Sequence, residues 1–295
     1  MEPIIIEYAS MLYPKMLRNI EKPPSRLYVL GNIEVLNDIG IAVIGSRTNT
    51  EYGEKMCKKF VKGLLEYNIN IISGLAFGID SIAHESCLKN GGKTIAVLPS
   101  GLKKICKATN KMLIDEIIKN DGAVISEYEN DIEADSNKFL ERNRIVAGLG
   151  IGTLVVEAGY RSGTSVTARF TQQNEKPVFC VPSSLENMKG ILTNELIQKG
   201  AKLVRNAEDI IEEINKVNPE IEFNKKEVKK KNLYFDISPE LLNVYKEITD
   251  MPKDLNQIAR KTGLSISEVN YKTMMLQLED KIVELPGQRF IRNDN

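Results

Sequence analysis

The sequence has one histidine, His84, no Cys-x-x-Cys pair and no net charge, and each absence narrows the chemistry open to it. With a single imidazole, any Ser-His-Asp hydrolase would depend on His84, and no metal cluster or serine nucleophile is spaced to use it. The four cysteines, Cys57, Cys87, Cys106 and Cys180, stand apart from one another. Three lie within or beside apolar runs, which reads as buried thiols in a reducing compartment. No apolar run approaches the roughly 20 residues of a membrane helix. Glu2 and Glu7 interrupt any basic-then-apolar export signal. The expectation is a cytoplasmic protein with no membrane contact, no metal and no cofactor. Forty basic residues cancel forty acidic ones, so a nucleic-acid site would have to be a local basic patch.

What is present is strand–helix alternation. Short β-branched runs at 41–45, 69–73, 94–98, 123–126, 153–157, 177–181 and 202–204 are near-continuously apolar, as strands covered on both faces should be. Segments such as 51–67 and 164–174 have helical spacing between them. This pattern predicts an α/β fold, a doubly wound, mostly parallel sheet over residues 41–217 with residues 1–40 as a lead-in. Residues 218–234, with "NPEIEFNKKEVKKKN", read as a linker. Residues 235–295 read as a second module. It opens at Ser238-Pro239 as N-cap and first helical residue, turns at Gly263, starts another helix near Ser267, and closes on a hairpin about Pro286-Gly287. Helix–turn–helix with a β-wing is a winged-helix pattern. Solenoid-period repeats are absent from the sequence.

In such sheets ligands bind beyond the carboxyl ends of the strands, so the loops there matter most. Three carry small or hydroxylated residues: Gly45-Ser46-Arg47, with Thr50 as N-cap of the next helix; residues 73–80; and residues 157–164. A helical segment, "KFLERNR" at 138–144, precedes the strand at 153. Exposed backbone N–H groups at helix starts attract anions. Ser46, Ser73, Ser162 and Thr164 add hydroxyl donors, and Arg47, Lys138, Arg142 and Arg144 add full charges. Together they suit a phosphate ligand held at several points. The plainer readings stand beside this one. Arg142 and Arg144 could pair with Glu141 and Glu157, Asp80 could cap a helix and touch His84, and Phe77 and Phe139 could belong to the core. "GLGIGT" at 148–153 precedes its strand and is not a nucleotide fingerprint.

Read together, "IAVIGSR", "ISGLAFGIDSIAH", "TIAVLPSGL", "ISEY", "FLERNRIVAGL", "VVEAGYRSGTSVTAR" and "NELIQKGAKLV" resemble the DNA-processing protein A (DprA/Smf) family over residues 13–204. The resemblance implies an extended Rossmann-like domain that dimerises. It would bind single-stranded DNA without sequence preference, protect the strand and load the recombinase RecA in natural transformation. It places Ser46, Arg47, Gly74, Lys138, Phe139, Arg142, Arg144, Gly163 and Thr164 in the DNA-binding pocket. The chain departs from the family at Phe77, where arginine is common, at Leu140, where proline is frequent, and at Pro182-Ser183 in place of Pro-Gly. It also lacks a tyrosine-proline pair after the third expected strand. Only about forty residues precede the first expected strand, too few for the helical domain many members carry at that end. The second module offers Asn270 and Lys272 on its recognition helix, beside Glu268, Glu279 and Asp280, with Arg289 and Arg292 on the wing; it reads as a protein-interaction or auxiliary DNA module.

Two other functions compete. One is an enzyme of the nucleotide phosphoribohydrolase type with Glu157 as acid, although the "PGGxGT" loop of that group is replaced by "EAGYRSGT". The other is a sensor that binds a small nucleotide and signals through the winged helix.

Overall fold

The structure, a computed structural model, describes residues 2–104, 108–160, 162–225, 237–249 and 251–293. Cys106, Arg161 and the stretch 226–236, which holds much of the expected linker, lie outside the described residues. The chain divides into two compact units, Met1–Lys226 and Glu227–Asn295.

The first unit is built on nine strands: β1 (Ile4–Glu7), β2 (Arg26–Gly31), β3 (Gly40–Ile44), β4 (Asn70–Ser73), β5 (Thr94–Val97), β6 (Ala123–Ser126), β7 (Thr153–Val155), β8 (Val178–Cys180) and β9 (Lys202–Leu203). Their order is β1-β2-β6-β5-β4-β3-β7-β8-β9. The segment from β5 to β9 repeats the 3-2-1-4-5-6 order of doubly wound nucleotide-binding sheets. All its pairs are parallel, whereas β1–β2 and β2–β6 are antiparallel. The fold is α/β and Rossmann-like. Residues 1–40, expected only to lead in, supply two of the strands.

Eight helices accompany the sheet: α1 (Lys15–Arg18), α2 (Glu51–Leu65), α3 (Ile79–Lys89), α4 (Ala108–Lys119), α5 (Ser136–Leu149), α6 (Thr164–Gln173), α7 (Ile191–Gln198) and α8 (Ala207–Val217). Side chains alternate across a strand, so one apolar run feeds two cores. Ala42 and Ile44 pack with Ile145, Leu149, Ala168 and Leu196 of α5, α6 and α7. Ile41 and Val43 pack with Phe60, Leu64, Ala83 and Ile210 of α2, α3 and α8. Cys57, Cys87 and Cys180 are buried free thiols, and burial raises the pKa of each.

The second unit has α9 (Leu242–Glu247), β10 (Lys253–Asp254), α10 (Leu255–Thr262), α11 (Ile266–Leu278), β11 (Ile282–Leu285) and β12 (Arg289–Arg292). Asp254 and Ser265 each form a capping box, and Gly263 takes the left-handed turn between α10 and α11 with φ 73°. The β11–β12 hairpin turns at Pro286-Gly287, as its sequence implies. The first helix begins three residues later than expected: the Ser238 carbonyl accepts the Leu241 N–H in a turn, and Ser238 caps no helix.

Candidate nucleic-acid interface

Strand order reverses between β3 and β7, and a cavity of about 470 Å3 opens there, beyond the carboxyl ends of both strands. It is lined by the loop after β3, the loop after β4 with the start of α3, one face of α5, the β7–α6 loop with the start of α6, and the turn before α7. The loop after β3 is pinned from both sides. The Ser46 N–H donates to the Glu157 carbonyl at 2.6 Å, and the Ser46 carbonyl accepts from the Ile79 N–H at 3.1 Å. Gly78 makes the second contact possible. Its φ is 80°, and a Cβ there would come within 2.2 Å of the Ser46 carbonyl oxygen.

So held, Arg47 extends from the loop with its guanidinium carbon 5.0 Å from the centre of the Phe139 ring. The pair makes a cationic and aromatic wall at the cavity's edge. Arg47 is exposed, and among the described residues it forms no ion pair. Gly163, the residue before α6, also lines the cavity, and the first amides of the helix are taken up locally: the Thr164 N–H donates to the Ser162 hydroxyl at 3.2 Å and the Ser165 N–H to the Ser162 carbonyl at 3.0 Å. The Thr164 hydroxyl donates to the Gly45 carbonyl at 3.2 Å and accepts from the Ser162 hydroxyl at 2.9 Å, fastening the β7 loop to the β3 loop.

The floor is a buried polar clasp. Arg142 is 3% exposed and donates to the Gly74 carbonyl at 2.6 Å and to the Val97 carbonyl. Asp80 accepts the Gly74 N–H at 3.2 Å, so this one residue is held by both its N–H and its carbonyl. Burial lowers the Arg142 pKa to about 10, while the Asp80 carboxylate opposes the shift, so the guanidinium stays charged at neutral pH. A Cβ on Gly74 would stand 2.7 Å from the guanidinium carbon, which is why that position is glycine.

The nine candidate residues therefore fall into distinct groups. Ser46, Arg47, Gly74, Phe139, Arg142, Gly163 and Thr164 line the cavity. Lys138 donates its N–H to the N-cap Asp135 at 2.9 Å and pairs its ammonium with the same carboxylate, and that ammonium lies 5.9 Å from the Tyr128 ring centre. Arg144 points elsewhere. It forms a two-pronged, half-buried ion pair with Glu127, at 3.0 and 2.6 Å, and borders a separate cavity with Arg169 and Phe170. Of the two arginines expected to bring full charges to the pocket, Arg142 bonds backbone carbonyls and Arg144 bonds a carboxylate. Neither pairs with Glu141 or Glu157. Glu141 accepts from the Tyr128 hydroxyl, and Glu157 accepts from the Thr50 N–H, the Thr50 hydroxyl and the Asn187 amide.

Other residues singled out in the sequence can be placed as well. Thr50 caps α2, accepting the Gly53 N–H at 3.1 Å. Asp80 sits inside α3 and is not its cap, and His84 bonds Thr94 at 2.7 Å instead of Asp80. Phe77 is 51% exposed and so is no core residue. Lys189 also lines the cavity and was missed, because it lies late in the β8–α7 connection, in the turn just before α7 and well past the end of β8. No group of three or more His, Cys, Asp or Glu side chains could hold a metal among the described residues. In the second unit, Lys272 donates to the Glu240 carbonyl and Asn243, Arg289 to the Pro286 carbonyl, and Arg292 to the carbonyls of Tyr245 and Lys246.

Comparison with known proteins decides the family. The profile of "DNA recombination-mediator protein A" matches residues 4–215. The chain belongs to this family. It is 35% identical over 290 residues to protein Smf of Escherichia coli K12, covering 96% of this chain and 76% of that protein. Among solved structures, DNA processing protein A of Streptococcus pneumoniae superposes with a TM-score of 0.68 at 37% identity, covering 75% of both chains. That of Helicobacter pylori, described for its single-stranded DNA binding mode, gives 0.65 at 31% identity, covering 75% of this chain and all of the other. Among the described residues no helix is long and apolar enough to cross a membrane.

Proposed function

We propose that this member of the recombination-mediator family binds single-stranded DNA, without reading its sequence, in the cavity at the β3–β7 switch point. The observation that carries the reading is the exposed Arg47 guanidinium lying against Phe139 at the edge of that cavity. Flexible single strands offer spaced phosphates and unstacked bases, and a long cationic arm beside an aromatic ring meets both. The Helicobacter pylori relative, described for its single-stranded DNA binding mode, supports the same ligand. In this reading the protein is a non-catalytic homodimer that protects incoming strands and loads RecA. Its second unit is a winged helix whose Lys272, Arg289 and Arg292 bond carbonyls of their own unit, which favours protein contact over DNA contact.

The enzyme reading fares worse on geometry. Glu157, its required acid, is 1% exposed with three hydrogen-bond donors on its carboxylate, and it does not line the cavity.

The test is a gel shift with single- and double-stranded DNA of equal length, using the wild type and Arg47→Ala. Preference for the single strand, lost in the variant, is expected. Equal binding of both DNAs, or an unchanged shift with Arg47→Ala, would overturn the proposal. Calorimetry with a nucleoside monophosphate separates it from the sensor reading, which requires tight stoichiometric binding and no affinity for oligonucleotides.

A further inference from the structure

Arg47 is not alone at the cavity. Lys189 comes from the turn Met188–Gly190, far away in sequence, and lines the same space. Its ammonium donates to the Thr48 carbonyl, one residue beyond Arg47. Like Arg47, it has no carboxylate partner among the described residues. A solvent-accessible lysine resting on a neutral carbonyl keeps its full charge available to an incoming anion.

The turn that carries Lys189 is positioned firmly. The Asn187 side chain accepts the Lys189 N–H at 3.0 Å and donates to the Glu157 carboxylate at 3.1 Å. The other Glu157 oxygen accepts the Thr50 N–H at 2.8 Å, behind the Arg47 loop. One buried carboxylate thus braces both cation-bearing segments. The Lys189 Cα also lies 3.8 Å from where a Cβ on Gly159 would be, so the turn rests directly on the β7 loop.

We propose that Lys189 is a second phosphate-binding residue of this site, gripping a backbone phosphate of the bound strand next to the one held by Arg47. This rests on the single-strand reading above. When the strand enters, the ammonium exchanges the Thr48 carbonyl for a phosphate oxygen, a charge-assisted and stronger acceptor. Two cations of different length and loop origin, close together at one mouth, fit successive phosphates of a strand better than a lone mononucleotide.

The experiment is a salt titration of oligo-dT affinity for the wild type, Lys189→Gln, Lys189→Arg, Arg47→Ala and the double variant Arg47→Ala/Lys189→Gln. Each lost phosphate contact should flatten the slope of log K against log salt by about 0.7, and the double variant by about 1.4. Lys189→Arg should keep the wild-type slope. If Arg47→Ala flattens the slope and Lys189→Gln does not, Lys189 is no phosphate ligand although the site stands. If neither does, the single-strand reading of the cavity itself fails. Thermal melting checks that Lys189→Gln folds; should it not, a wild-type slope in Lys189→Ala would equally overturn the assignment.

Discussion

The guanidinium of Arg47, on the loop after β3, lies 5.0 Å from the centre of the Phe139 ring on α5. The contact orients a flexible arm before any ligand arrives, and at an exposed site it is worth about 0.5–1 kcal/mol. Phe139→Leu keeps apolar bulk but removes the ring face. It should weaken oligonucleotide binding by about 1–3 kcal/mol if a base stacks there, while leaving the salt slope unchanged. Arg47→Lys should keep the slope and lose affinity, because an ammonium cannot lie flat on the ring. Fluorescence anisotropy at several salt concentrations reads both. A flattened slope in Phe139→Leu would mean that the ring matters only through Arg47.

Arg142 is a structural cation, and its removal should show in stability first. Arg142→Met leaves Asp80 buried without its counter-charge, a loss typically of about 3–5 kcal/mol. Asp80→Asn alone leaves Arg142 uncompensated. In the double variant both charges are gone, so the cost should fall short of the sum of the two single ones. Urea unfolding midpoints of the four proteins close the cycle. Additive losses would show that the two groups do not communicate through Gly74.

Much of this fold is legible in the sequence because parallel strands buried on both faces announce themselves. Gly40–Ile44 is buried throughout, and its run of apolar residues has no other economical explanation. The β1 strand escapes notice for the opposite reason: in it only Ile6 is buried, and Ile4 and Ile5 are about half exposed. The same limit governs the site. Ser46, Arg47 and Thr164 follow strand ends or open helices, so the topological rule finds them. Whether an arginine faces ligand or carbonyl is decided by tertiary neighbours. Arg142 and Arg144, two positions apart on α5, point to different surroundings, and no local pattern separates them from Arg47. Lys189 is brought in by the packing of the turn before α7 on the β7 loop, which its own sequence does not encode.

His84 links the fold to pH. It is fully buried on α3, with Nδ1 on the Thr94 hydroxyl and Nε2 without a partner in the structure. Burial, reinforced by the charge of Arg142, lowers its pKa from 6.5 to about 3. The folded protein therefore refuses a proton that the unfolded chain accepts. The stability this neutral ring contributes is complete above pH 6.5 and is lost as pH falls toward 3, at up to about 1.4 kcal/mol per pH unit. Urea unfolding between pH 7 and 4.5 should show that slope in the wild type and a shallower one in His84→Asn. Parallel slopes would exclude a neutral, unprotonated His84.

Glu157 gives the sharpest separation between brace and catalyst. Its carboxylate accepts from Thr50 at 2.8 and 2.7 Å and from Asn187 at 3.1 Å, tying the start of α2 to the turn bearing Lys189. Glu157→Gln keeps the shape but replaces one acceptor oxygen with an amide that faces donors. A buried mismatch of this kind costs about 1–3 kcal/mol. The variant should melt earlier and bind oligo-dT more weakly, with both cation-bearing loops released from their common anchor. Free base should not accumulate from nucleoside monophosphates in wild type or variant. Base release by the wild type, abolished by Glu157→Gln at temperatures where the variant stays folded, would make this carboxyl a catalytic acid and return the cavity to nucleotide chemistry.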